Sequence, residues 1–99
     1  VFVFHNVADS RAGAATRDMI RDFVSGHDDI DLSAMDANTG RAGNQAFSFS
    51  GTAARANSVW LVDTGADMVV RGDINGDRIA DFEVQVAAIN LIRSGDFLL

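Results

Sequence analysis

The stretch SVWLVDTGADMVVRGDINGDRIADFEVQVAAI, Ser58 to Ile89, decides the architecture. It holds three runs rich in β-branched and aromatic residues, Ser58–Asp63, Asp67–Asp73 and Asp81–Ile89, punctuated by Gly, Asn, Asp and Ala turns. Between the first two, DTGAD is short enough for a hairpin loop, with Gly65 free to take positive φ. Upstream, QAFSFSG (Gln45–Gly51) reads as a further strand. Short strands at this spacing favour an all-β fold, a small antiparallel sandwich. Phe47, Phe49, Trp60, Val62, Val70, Phe82, Val84 and Val86 are its expected core.

The connection between the last two strands carries the chemistry. In DINGDRIAD the side-chain oxygens of Asp73, Asn75, Asp77 and Asp81 fall at positions one, three, five and nine, with the backbone carbonyl of Ile79 at position seven. Such spacing wraps hard oxygens around calcium at roughly 2.3–2.6 Å. Counting twelve residues from Asp73 ends on Val84, so the helix-flanked loop that closes on a glutamate is excluded; Glu83 is one residue short. The pattern is a shorter D-x-[DN]-x-D-x-x-x-D loop joining strands. Its sixth position, where positive φ favours glycine, is Arg78, at a cost of about 1 kcal/mol if that conformation is kept. Without an ion, carboxylates gathered in a wet loop repel by about 1 kcal/mol per pair; the plain alternative is an Asn-Gly surface turn that favours aspartate. The same stretch contains RGD, Arg71–Asp73, the tripeptide of cell-adhesion receptors, but Asp73 cannot serve a receptor while ligating its own ion.

The rest of the composition agrees. Of 14 acidic residues only Glu83 is a glutamate, and all 8 basic residues are arginines. Aspartate is a poor helix former, a good turn former and a short hard-oxygen ligand, so the bias points to turns and calcium. A net charge of −6 with no arginine cluster argues against nucleic acid. No long apolar run is present, so stable membrane insertion is not expected. With 99 residues and no cysteine, the chain reads as a single domain, 1–99, with a modest core and no disulfide to support it. VFVFHN looks like a strand already under way at Val1, so a fragment of a larger protein is expected; no secretory leader is visible at its start. In TRDMIRDFVSG, Met19, Ile20, Phe23 and Val24 lie at helical spacing, although Phe23 and Val24 equally fit a short strand entering the turn at Gly26; a further helical turn is possible around Ala34 to Ala37.

FVF, DS and IRDFVSGHDDIDLSAMDA, then GNQAFSF, then GDINGDRIADFEV and a terminal DFLL together resemble, in that order, the C-terminal domain of serralysin-like secreted metalloproteases and related repeats-in-toxin proteins. The resemblance spans nearly the whole chain and is weakest at Thr52–Asn57. It implies a sandwich continuing from the end of a parallel β-roll. Residues 1–33 would form the end of the roll and its capping segment, and residues 45–99 an antiparallel sheet with a C-terminal secretion signal. It implies that Asp22 and Asp29 help close the last roll turns by binding calcium, against their reading as ordinary turn and N-cap aspartates. It also implies an ABC-type exporter that reads Asp96, Phe97, Leu98 and Leu99, the upstream β-roll as a second partner, and an extracellular destination.

The zinc chemistry of such parents needs H-E-x-x-H on a helix, whereas this chain has only His5 and His27, neither near a glutamate. Ser10, Ser25 and Ser33 lie near aspartates but in no nucleophile elbow. A non-catalytic, calcium-responsive cap and export module is therefore the expected function. Two rivals stand beside it: a carbohydrate- or surface-binding sandwich, which needs Trp60 exposed beside a groove, and a calcium-independent structural cap.

Overall fold

The computed structural model describes residues 2–6, 9–13, 17–87 and 92–99. It is all-β, with strands β1 (Phe2–Val3), β2 (Asp18–Ile20), β3 (Ile30–Asp31), β4 (Ser48–Phe49), β5 (Ser58–Asp63), β6 (Met68–Gly72), β7 (Phe82–Val86) and β8 (Phe97–Leu98). No α-helix occurs among the described residues, and a 3-10 turn at Ser94–Asp96 leads into β8. The strands form two sheets, one in the order β1-β3-β8 and one in the order β2-β7-β6-β5-β4.

The meander β5-β6-β7 is antiparallel, and its register sets the core. Leu61 pairs with Val70 and Val70 with Val84, while Val59 faces Gly72 and Gly72 faces Phe82. Because side chains alternate along a strand, Val59, Leu61, Met68, Val70, Phe82, Val84 and Val86 all reach one face, where they join Phe4, Ile20, Phe23, Ile30, Leu32, Phe47 and Phe97 in a single core. Full burial of each such aliphatic or aromatic side chain is worth roughly 1.5–3 kcal/mol. Among the expected core residues, Phe49 and Val62 are only half-buried. Trp60 is buried, but on the opposite face, paired with Arg71. The DTGAD hairpin forms, with Gly65 at φ 97° and the Thr64 N–H donating to the Asp67 carbonyl at 3.0 Å.

Among the named strands of the described residues, antiparallel pairing is confined to that meander, with one isolated antiparallel bridge, Arg11 to Phe82, beside it. β1 pairs with β3, β3 with β8, β2 with β7 and β4 with β5, all parallel. The first four strands alternate between the two sheets, so each returns to its own sheet running the same way, as a wound path requires. TRDMIRDFVSG is not a helix. Asp18–Ile20 forms a parallel edge against β7, and Asp22 turns the chain at φ 62°. Ile20 and Phe23 are buried while Met19 and Val24 are exposed: two inward residues three apart mimic a helical stripe, and the open edge of β7 decides otherwise. Ala34–Ala37 is likewise a turn, closed by the Met35 N–H on the Leu32 carbonyl at 2.9 Å. Of the expected first and last long strands, Val1 and Ala88–Ile89 lie outside the described residues.

Candidate metal centre

Asp73 follows β6 and Asp81 precedes β7, so the antiparallel pair brings both ends of DINGDRIAD together; the Asp81 N–H donates to the Gly72 carbonyl at 2.8 Å. Inside the loop the backbone wraps Asp73, which is fully buried. Its Oδ1 accepts the N–H groups of Asn75 and Gly76, both at 3.0 Å. Its Oδ2 accepts Arg78 N–H at 2.9 Å and Asn57 N–H at 3.3 Å. Gly76 at φ 84° and Arg78 at φ 64° provide the bends. Arg78 thus keeps the left-handed conformation expected of the sixth position, with its side chain outside.

Asp77 and Asp81 complete the cluster. One carboxylate oxygen from each of Asp73, Asp77 and Asp81 can be chosen so that all lie within 4.8 Å of one another. The Asn75 amide nitrogen reaches Asp81 Oδ1 at 3.5 Å, and its Oδ1 accepts the Asp77 N–H at 3.2 Å. Asp77 Oδ1 accepts the Ile79 N–H at 2.9 Å, and Asp81 Oδ2 the Ile74 N–H at 3.0 Å. The Ile79 side chain is exposed.

Two neighbouring carboxyls are driven in opposite directions. Burial pushes Asp73 up, but the four backbone N–H groups of Arg78, Asn75, Asn57 and Gly76 outweigh it and hold the carboxyl below the usual 3.8. Asp81 is raised above 3.8 by partial burial first, then by Asp73 and Asp77, against the single Ile74 N–H. The loop therefore resolves its charge at Asp73 and leaves it unresolved at Asp81. Ligands each 2.3–2.6 Å from one ion lie at most about 5 Å apart, so hard oxygens within 4.8 Å fit calcium in both size and chemistry.

Asn57 was not singled out from the sequence. It stands at φ 54°, gives its N–H to Asp73 and sends Nδ2 to the Ala37 carbonyl at 2.8 Å. Its signal was present: asparagine is among the few residues that tolerate the left-handed region ahead of a strand. With Thr39 N–H on the Ile74 carbonyl at 2.9 Å, it ties the acidic loop to the 37–39 segment.

The other expected site residues lie elsewhere. Among the described residues, Asp73, Asp77 and Asp81 form the group of three acids able to share an ion, and neither Asp22 nor Asp29 belongs to it. Asp22 is exposed in its turn, and the Asp29 carbonyl accepts Phe2 N–H at 2.8 Å. Asp96 is buried, Phe97 lies in the core, Leu98 is exposed and Leu99 is half-buried. His5 and His27 are exposed at separate turns. RGD is no displayed loop: Arg71 forms an ion pair with Glu83 at 2.9 Å, and Gly72 and Asp73 are buried. Trp60, the sole indole, is 4% exposed, which counts against sugar stacking. No helix is long and apolar enough to cross a membrane among the described residues.

The family described as peptidase M10 serralysin C terminal matches residues 1–99, the whole chain. No curated protein matches it.

Proposed function

Because the chain belongs to the peptidase M10 serralysin C-terminal family, we propose that it is the non-catalytic, calcium-binding and export-signal module of a secreted bacterial enzyme, a serralysin-like metalloprotease or a related hydrolase. The observation that carries this reading is the convergence of Asp73, Asp77 and Asp81 in a strand-joining loop whose backbone is already wound around Asp73. Asp73, Asn75, Asp77, Asp81 and the Ile79 carbonyl are the residues that would hold calcium. When bound, the ion supplies the positive charge that Asp81 lacks. At low cytosolic calcium the acids repel and favour a loose chain fit for export; outside the cell the loop closes. With a dissociation constant of about 10⁻⁴–10⁻³ M, as in extracellular modules, a few-fold excess of ion adds about 1 kcal/mol per site.

The export half of the proposal assigns Asp96–Leu99 to recognition by an ABC-type exporter. On the N-terminal side the partner is an upstream β-roll. β1 ends one sheet and β2 the other, and a pocket of about 410 Å³ lined by residues 2–4 and 18–21, the charged Asp18 and Arg21 included, opens between them. Parallel edges of this kind accept further parallel strands. Calcium titration by calorimetry, repeated on Asp77→Ala, tests the metal assignment: heat from the native sequence and its loss in the variant are expected, and no heat removes the site. Deleting Asp96–Leu99 and finding normal secretion removes the export assignment.

One observation favours the calcium-independent cap. The four N–H groups on Asp73 account for all four lone-pair positions of its carboxylate, so the loop has an ion-free closed form. Thermal stability unchanged by a chelator would select that reading.

A further inference from the structure

We infer that Asp96 is a latch that locks the C-terminal strand into the fold, so that Asp96 and Phe97 stay hidden and the last residues detach from the sheet only when the domain is unfolded or locally opened. Asp96 is 3% exposed, and the three hydrogen bonds its carboxylate accepts from described residues tie the tail down. Oδ1 accepts the Gly26 N–H at 2.9 Å; Oδ2 accepts the Ser25 hydroxyl at 2.6 Å and the Arg93 N–H at 2.9 Å. Two of these donors belong to the turn that follows Val24, about 70 residues away in sequence. The third closes the 3-10 turn ahead of β8, where the Asp96 N–H in turn donates to the Arg93 carbonyl at 2.9 Å.

Beyond the latch, the tail is held only lightly. β8 is two residues long and pairs on one side, with Ile30 opposite Phe97 and Asp31 opposite Leu98. The Leu98 carbonyl accepts Leu32 N–H at 2.9 Å. Phe97 is buried, its ring 5.5 Å from that of Phe49, whereas Leu98 is 44% exposed. A two-residue edge strand with one buried side chain frays readily. Three bonds to an ionised, desolvated carboxylate immediately before it fix its start.

Asp96 therefore acts as a positioning residue for Phe97–Leu99, and its charge is directed inward rather than displayed. Where the tail is an export signal, as proposed above, folding hides the acid that heads it. The latch itself does not depend on that reading.

The test is digestion of the natively folded chain with a carboxypeptidase, followed by mass spectrometry, with near-ultraviolet circular dichroism of Trp60 reporting the fold. The native chain should resist trimming past Leu99. Asp96→Ala should release Leu98 and Phe97 about 10-fold faster or more, with the Trp60 signal retained. Equal trimming of the two chains overturns the inference. Should Asp96→Ala fail to fold, Ser25→Ala removes one of the three bonds from outside the tail; several-fold faster trimming supports the latch and an unchanged rate refutes it. Secretion assays separate the two proposals, because normal export without Asp96–Leu99 defeats the signal reading and leaves these trimming rates to decide the latch.

Discussion

Replacing Asp73 by asparagine tests whether the acidic loop is organised by its own backbone before any ion arrives. In the native loop Oδ1 receives Asn75 and Gly76 N–H, and Oδ2 receives Arg78 N–H at 2.9 Å and Asn57 N–H at 3.3 Å. The amide can keep one of these pairs and must turn its NH₂ toward the other. If its oxygen stays with Asn75 and Gly76, two backbone donors face a donor inside the fold. A hydrogen bond to a charged acceptor is worth about 1.5–3 kcal/mol, and the Asn57 bond is long, so the lost pair amounts to about 3–4 kcal/mol. Burying an amide in place of a carboxylate returns about 1 kcal/mol of desolvation, leaving a net loss of about 2–3 kcal/mol. For a domain of this size that lowers Tm by roughly 10–20 °C. The assay is thermal circular dichroism in excess chelator, where no metal contributes. Asp77→Asn is the control: exposed Asp77 accepts a single N–H, from Ile79, which an amide oxygen also accepts, so its Tm should move by no more than about 3 °C. A shift for Asp73→Asn under about 3 °C would refute the view that Asp73 nucleates the loop.

Three further outcomes follow from the same geometry. Arg78→Gly relieves a left-handed residue with an exposed side chain and should stabilise the metal-free domain by about 0.5–1 kcal/mol, read as a Tm rise in chelator. Asp81, with its carboxyl raised, destabilises the metal-free fold at neutral pH and stops doing so as pH falls through its folded pKa. Asp73, Glu83 and Asp96, with theirs lowered, contribute stability above their unfolded values that is lost as pH falls through their folded ones; Tm in chelator should therefore peak on the mildly acidic side of neutrality, and Asp81→Asn should abolish the rise toward that peak. Leu98→Ser alters an exposed tail position, so Tm should change little while secretion falls if the tail is read by an exporter; unaltered secretion would tell against that reading.

The meander and its acidic loop were legible because both are local. Runs of β-branched and aromatic residues bounded by turn residues mark β5, β6 and β7 as strands, and the loop's oxygens sit at fixed offsets within one turn. The parallel seams were not legible. β2 and β4 are three and two residues long, and their partners β7 and β5 are chosen by the winding of the chain, not by a pattern within the strands. For the same reason periodicity around DMI leaves helix and strand open: the edge of β7 that makes it a strand lies more than sixty residues away. Trp60 is buried as expected, but the register turns it to the face of Arg71 and Glu83, away from the main apolar cluster. The part Asn57 plays in the loop is a backbone N–H, which every residue but proline possesses, so its tolerance of the left-handed region is the one mark it leaves in the sequence.

The loop divides its labour among its acids, and this bears on how an ion would couple to folding. Asp73 is spent on geometry: four N–H groups neutralise it well enough to lower its pKa even though it is buried. Asp77 is exposed and Asp81 half-buried, with one or two donors each, and the electrostatic cost of the assembly collects at Asp81. On the proposed reading, affinity for calcium is then governed chiefly by Asp77 and Asp81, while Asp73 governs whether the loop exists to be filled. Asp77→Ala should abolish the calorimetric heat and leave the metal-free Tm nearly intact, whereas Asp73→Asn should lower the metal-free Tm first. The reverse pattern, with heat lost from a stable Asp73 variant and stability lost from an Asp77 variant, would mean that the backbone does not shape the loop and that the ion does.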